Sequence, residues 1–127
     1  MEESPPTTVL DRKDCLERLS SAPLARILVS VRCLPAALPA RIRVVDGERI
    51  VIASPDSTIL LAAQRHDVMT VQVDGVDESN HPWSVVASGI AEVSFDANPA
   101  EGLEWGTPGF AGQLVSFPVS VVVGQRH

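Results

Sequence analysis

At 127 residues and 13.6 kDa the chain is one domain, long enough for a single core and too short for two. A hydrophobic content of 45% excludes a chain that stays unfolded for want of apolar surface. A net charge of −6 excludes nucleic acid as a partner, because a phosphate backbone is gripped by clustered cations. Arginines do gather at Arg26, Arg32, Arg41, Arg43 and Arg49, so an anion the size of a nucleotide remains open as a ligand. No apolar run reaches the length of a membrane span, and the opening Met-Glu-Glu-Ser-Pro-Pro lacks a signal-peptide pattern. No membrane partner is therefore expected. Cys15 and Cys33 have no zinc-like spacing and read as reduced thiols of a cytoplasmic protein.

In chain order, residues 1–8 are acidic and rich in Pro and Thr and read as a disordered lead-in to a domain over 9–127. A helix is expected from Asp11, whose carboxylate can accept from the amides of the first turn. Leu10 and Cys15 are spaced as a hydrophobic staple across that cap, and Cys15, Leu16 and Leu19 form its buried stripe. From Leu24 to Arg32 the period changes to two, with Ile27, Val29 and Val31 on one face and Arg26, Ser30 and Arg32 on the other. Pro35 and Pro39 cannot donate to a ladder, so the next strand should begin at an edge or bulge. Arg41, Arg43 and Val45 then alternate with Ile42 and Val44 up to Asp46-Gly47, a strong hairpin turn, and the return strand is Arg49 to Ser54.

A second helix is expected from Thr58 to about His66, capped by Asp56 or Ser57, with Ile59, Leu60 and Ala63 apolar. Val68–Asp74 and Trp83–Phe95 read as strands joined by a polar loop, and 96–112 as an irregular Gly/Pro-rich loop. Leu114–Val123 reads as the last strand, with Pro118 marking a bulge or edge. The fold expected is mainly β: a six-stranded antiparallel barrel with two short peripheral helices, which removes exposed edges.

The run from Leu34 to Ser54, the capped helix, Val71-Gln-Val-Asp74, the later Pro82-Trp-Ser-Val-Val-Ala-Ser-Gly89 and the closing Val122-Val-Gly-Gln-Arg126 occur in a telling order. That order resembles the pyridoxamine 5'-phosphate oxidase-like split barrels that bind flavin. The resemblance spans Leu10 to Arg126 and implies a split-barrel homodimer with flavin mononucleotide, or another flavin-type cofactor, in a groove between subunits. It implies a flavin-dependent oxidoreductase whose substrate the sequence does not name. Carried over residue by residue, it places Pro39, Arg41, Ser54, Ser57, Thr58 and Trp83 at the cofactor. Relatives carry a cation opening the second helix and a basic or hydroxyl residue ending the return strand. Here Ile59 and Ala53-Ser54 stand there, which implies a weakened phosphate site, with Arg41 as the substitute cation. On this reading Ile59→Lys tightens flavin binding and Arg41→Ala weakens it. The alternative is a cofactor-free barrel acting as a dimeric binding module.

Each of these residues has a plainer reading. Ser57 and Thr58 suffice as helix caps, Arg41 and Arg43 as a solvated strand face, and Trp83 as a plug at the barrel mouth. His66 at a helix end fits a role in capping carbonyls, and no two histidines have metal-pair spacing. No Ser–His–Asp set or carboxylate pair stands out, so any redox chemistry would belong to a cofactor.

Overall fold

One twelve-residue strand, Leu34–Val45, organises the molecule by changing partners halfway along. The computed structural model describes residues 7–22, 24–53, 56–94 and 114–127. Ser54 and the Gly/Pro-rich stretch that includes Trp105 lie outside these residues. Among the described residues the order is β1 (Thr8–Leu10), α1 (Arg12–Ser21), β2 (Ala25–Val31), β3 (Leu34–Val45), β4 (Arg49–Ala53) and α2 (Ser57–Gln64). It continues with β5 (Val68–Val76), β6 (Pro82–Ile90), β7 (Glu92–Ser94), β8 (Leu114–Pro118) and β9 (Val121–Arg126). The strands run β1-β9-β6-β5-β2-β3-β4-β8-β7 across one sheet, with every neighbouring pair antiparallel.

Leu34 to Ala40 of β3 pair with β2, and Arg41 to Val45 pair with β4. Pro35 and Pro39 fall in the first half, which has a described strand partner on one side only, so their missing N–H groups fit an edge. The alternation keeps its phase through the change. Ala36, Leu38, Ala40, Ile42 and Val44 all face the core, although their partners change from Val29, Ile27 and Ala25 on β2 to Ile52 and Ile50 on β4. Val71 and Val73 of β5, Val85 and Ala87 of β6, and Val115 and Phe117 of β8 complete this interior. Both helices pack their apolar sides on it, α1 through Cys15 and Leu19 and α2 through Ile59, Ala62 and Ala63.

The architecture is the expected mainly β, antiparallel fold with two helices, but among the described residues the sheet is open, with β1 and β7 as edges where none were expected, and it has nine strands where six were expected. Two long runs break in passing from one half of the sheet to the other. The run from Trp83 divides at the buried Ala91, whose amide donates to the Asp67 carbonyl at 3.0 Å. The run from Leu114 divides at Val119-Ser120, where Val119 N donates to Glu48 O (2.7 Å) and Ser120 N to Ser88 O (2.9 Å). The second break follows Pro118, the residue expected to mark a bulge or edge, whereas the first has no proline or glycine at Ala91 to signal it. The third addition is β1, a three-residue edge strand on β9 that begins at Thr8, inside the stretch read as a lead-in. Asp11 caps α1 as expected, its carboxylate accepting from Asp14 N at 2.8 Å, and Leu10 and Cys15 meet over Gly124.

The two halves of the sheet approach most closely between β6 and β8. A Cβ at Gly89 would collide with the Pro118 carbonyl, so glycine is required there by space rather than by backbone angle. At the Asp46-Gly47 turn the reverse holds: Gly47 has φ +65° and open space around it. Gly89→Ala is therefore expected to lower stability by about 2–4 kcal/mol, and Gly47→Ala by only about 1 kcal/mol. Chemical denaturation of the two variants checks the ordering; equal losses would show that this approach does not constrain the barrel.

Candidate functional site

The local fold places the start of α2 at a cleft. Four residues after Ala53, α2 begins at Ser57, and the carboxylate of its cap residue Asp56 accepts from Thr58 N at 2.8 Å. The Ser57 side chain is exposed, Thr58 is half-buried, and Ile59 turns inward into the core with 1% of its surface accessible. Beside the exposed face of this helix lies a cleft of about 540 Å³. Ser30 and Arg32 line it from β2 and the turn that follows, and Ser57, Thr58, Gln64 and Arg65 line it from α2 and its C-terminal cap. Leu60 and Leu61 add an apolar strip.

Charge distinguishes this cleft. Arg18, Arg26, Arg49 and Arg126 pair with Asp14, Asp74, Glu92 and Asp77, respectively. Among the described residues neither Arg32 nor Arg65 has a carboxylate partner, and the same is true of Arg41 and Arg43. Two unpaired guanidiniums, three hydroxyls and one amide thus surround one cavity in an acidic protein. Such a donor set suits an oxyanion, and phosphate in particular. A larger and shallower groove of about 780 Å³ lies between α1 and the β3–β4 hairpin. Arg12 and Lys13 there also lack a carboxylate partner among the described residues, but Glu17 lines the same groove and Arg12 donates to the Val119 carbonyl at 3.4 Å, so less net charge is available.

The structure brings some of the sequence candidates together and leaves others apart. Ser57 and Thr58 share the cleft. Pro39 and Arg41 are exposed on β3, paired with Arg26 and Ala53, and neither is among the described residues lining it. Trp83 is the second residue of β6, with its ring over Gly75 and the Arg18 guanidinium 4.9 Å from the ring centroid. That cation–π contact ties α1 to the sheet, and within one chain Trp83 is not part of the α2 cleft. Beside it Asp77 accepts from the amides of Ser79 and His81 and from Arg126. The His81 amide and the Arg126 guanidinium hold the Asp77 carboxyl below the usual carboxylate range. His66 donates its backbone amide to Ala63 O at 3.0 Å, but its imidazole Nδ1 lies 3.2 Å from the Ala91 carbonyl, outside α2, so the side chain does not cap the helix carbonyls as expected.

Arg65 was not singled out from sequence, although a signal existed. Ser57, Leu61 and Arg65 recur every four residues and so lie along one face of α2. Arg32 was visible only as one arginine among several, because its approach to α2 comes from tertiary folding.

Residues 11–113 match the sequence profile of the pyridoxamine 5'-phosphate oxidase family. The chain belongs to that family. No curated protein matches it in sequence. Among solved structures, a FAD-binding protein from Mycobacterium smegmatis superposes with a TM-score of 0.72 at 21% identity, over 96% of this chain and 99% of that one. A FAD-binding protein from Mesorhizobium loti gives a TM-score of 0.78 at 18% identity, covering 95% and 98%. A conserved protein of unknown function from Corynebacterium diphtheriae gives 0.73 at 26% identity, covering 96% and 98%.

The buried position of Ile59 corrects one expectation. A lysine there would lead into the core rather than to the mouth of the helix, so Ile59→Lys does not restore a phosphate cation. Burying the ammonium is expected to cost about 3 kcal/mol or more, against about 1 kcal/mol for Ile59→Val. Denaturant unfolding of both variants checks this; a stable Ile59→Lys protein with tightened flavin binding would overturn it.

Proposed function

We propose that this protein is a homodimeric flavin-nucleotide-binding split barrel, a flavin mononucleotide-dependent oxidoreductase with a weakened phosphate site. The observation that carries the reading is the α2 cleft. Ser57 and Thr58, the residues that the family resemblance places at the phosphate, stand in one cavity with two unpaired arginines. The FAD-binding relatives of the same fold support a flavin as the class of ligand. The flavin would supply the redox chemistry; this chain would bind and orient it. Ser57, Thr58 and the guanidiniums are suited to hold its phosphate, and Leu60 and Leu61 offer apolar surface beside them.

Two features weaken that phosphate site. The Asp56 carboxylate occupies the Thr58 amide at the start of α2 and places negative charge where a phosphate would approach. Ile59, buried, supplies no cation. The same features favour the second reading, a cofactor-free barrel that acts as a binding module.

The homodimer is supported by the outer face of the sheet. Val68 and Ile90 stand side by side across β5 and β6, and Val121 and Val123 lie on the adjoining β9 opposite Ser88 and Val86. All four are more than half exposed, and neighbouring exposed aliphatic side chains of this kind mark interaction surfaces. Pro39, Arg41 and Trp83 would then join the cofactor site only through the second subunit.

We expect light scattering at micromolar concentration to give twice 13.6 kDa, and added flavin mononucleotide to bind weakly, with quenching of its fluorescence. A dimer that binds neither flavin mononucleotide nor FAD would favour the cofactor-free module. A monomer would contradict the intersubunit groove.

A further inference from the structure

The opening turn of α2 carries no positive charge: Asp56 is acidic, Ser57 and Thr58 are neutral, and Ile59 faces the core. Positive charge reaches the cleft from two other places. Arg32 comes from the β2–β3 turn, where it and Cys33 adopt left-handed backbone at φ 51° and 64°. Arg65 comes from the far end of α2, about 12 Å from its start at the rise of an α-helix. We propose that Arg32 and Arg65 form a two-armed guanidinium clamp for the phosphate of a nucleotide, replacing the cation that α2 lacks at its opening.

Three observations carry this. Both arginines line one cavity together with the hydroxyls of Ser30, Ser57 and Thr58. Among the described residues both lack a carboxylate partner, whereas Arg18, Arg26, Arg49 and Arg126 each have one. With 16 acidic and 10 basic side chains in the protein, two unpaired cations on one cavity make a local field opposite in sign to the net charge. A planar guanidinium fork matches two oxygens of an oxyanion at once, which a halide cannot use, and two such forks on one cavity suit the double negative charge of a phosphate ester or diphosphate. The apolar strip beside the clamp offers a surface for the uncharged part of such a ligand, which a bare inorganic ion would leave unused.

The identity of the nucleotide rests on the flavin reading; the anion chemistry does not. The test is titration of wild type, Arg32→Gln, Arg65→Gln and, as control, Arg43→Gln with flavin mononucleotide, FAD, riboflavin and inorganic pyrophosphate. Arg43 lies on β3 and is not among the described residues lining the cleft. Both arginines of the clamp are solvent-exposed, so the variants are expected to fold, and their melting temperatures confirm it. Wild type is expected to prefer the phosphorylated flavins to riboflavin. Each clamp substitution should weaken those ligands and pyrophosphate by about tenfold while leaving riboflavin and the Arg43→Gln control unchanged. If no flavin binds but pyrophosphate does, and both clamp variants lose it, the flavin reading fails and the clamp stands. If flavins bind equally well to wild type and both clamp variants, the clamp fails and the flavin reading stands. If wild type binds neither flavin nor pyrophosphate, both fail.

Discussion

The change of partner along β3 is the constraint on which the rest of the molecule depends. A strand that paired with β2 over its whole length would leave β4, β8 and β7 with no hydrogen-bonded link to the rest of the sheet. Because β3 exchanges β2 for β4 between Ala40 and Arg41, one continuous backbone belongs to both halves of the barrel. The exchange is tolerated because side-chain alternation does not depend on which strand lies alongside. Ala40 and Ile42 stay buried on either side of it, and Arg41 and Arg43 stay exposed. A slip of one residue would send both arginines into the core, and the cost of burying two unpaired charges fixes the register.

That register also places the cleft. Pairing Arg41 with Ala53 sets where β4 stops, and Asp56 then starts α2 a few residues later. The buried side of α2, through Ile59, Ala62 and Ala63, anchors the helix, and its other side is left facing Ser30 and Arg32. The same eight-residue helix thus seals the core with one face and lines a polar cavity with the other. Ile59 belongs to the first role, so a cation in the cleft has to come from elsewhere in the chain.

Much of this could be read from sequence because it is local. The caps at Asp11 and Asp56, the Asp46-Gly47 turn and the alternation in β2 and β3 each rest on a few neighbouring residues with one favourable conformation. The break at Val119-Ser120 was signalled by Pro118, where β8 ends, but not as a division into two strands; the break at Ala91 has no such signal, and the long-range bonds to Asp67, Glu48 and Ser88 define both. The site was legible in part. Ser57 and Thr58 follow from the capped helix, but the inward turn of Ile59 depends on where the barrel lies relative to α2. Arg32 and Arg65 are 33 positions apart in sequence, and only the packing of α2 beside β2 brings them to one cavity.

The measurement that bears most directly on this account is a crystal structure of the protein grown with flavin mononucleotide. The account predicts the phosphate in the α2 cleft, its oxygens within hydrogen-bond distance of the Ser57 or Thr58 hydroxyl and of the guanidinium of Arg32 or Arg65. A flavin bound with its phosphate against Arg41 and Arg43, and the α2 cleft filled only by solvent, would contradict it.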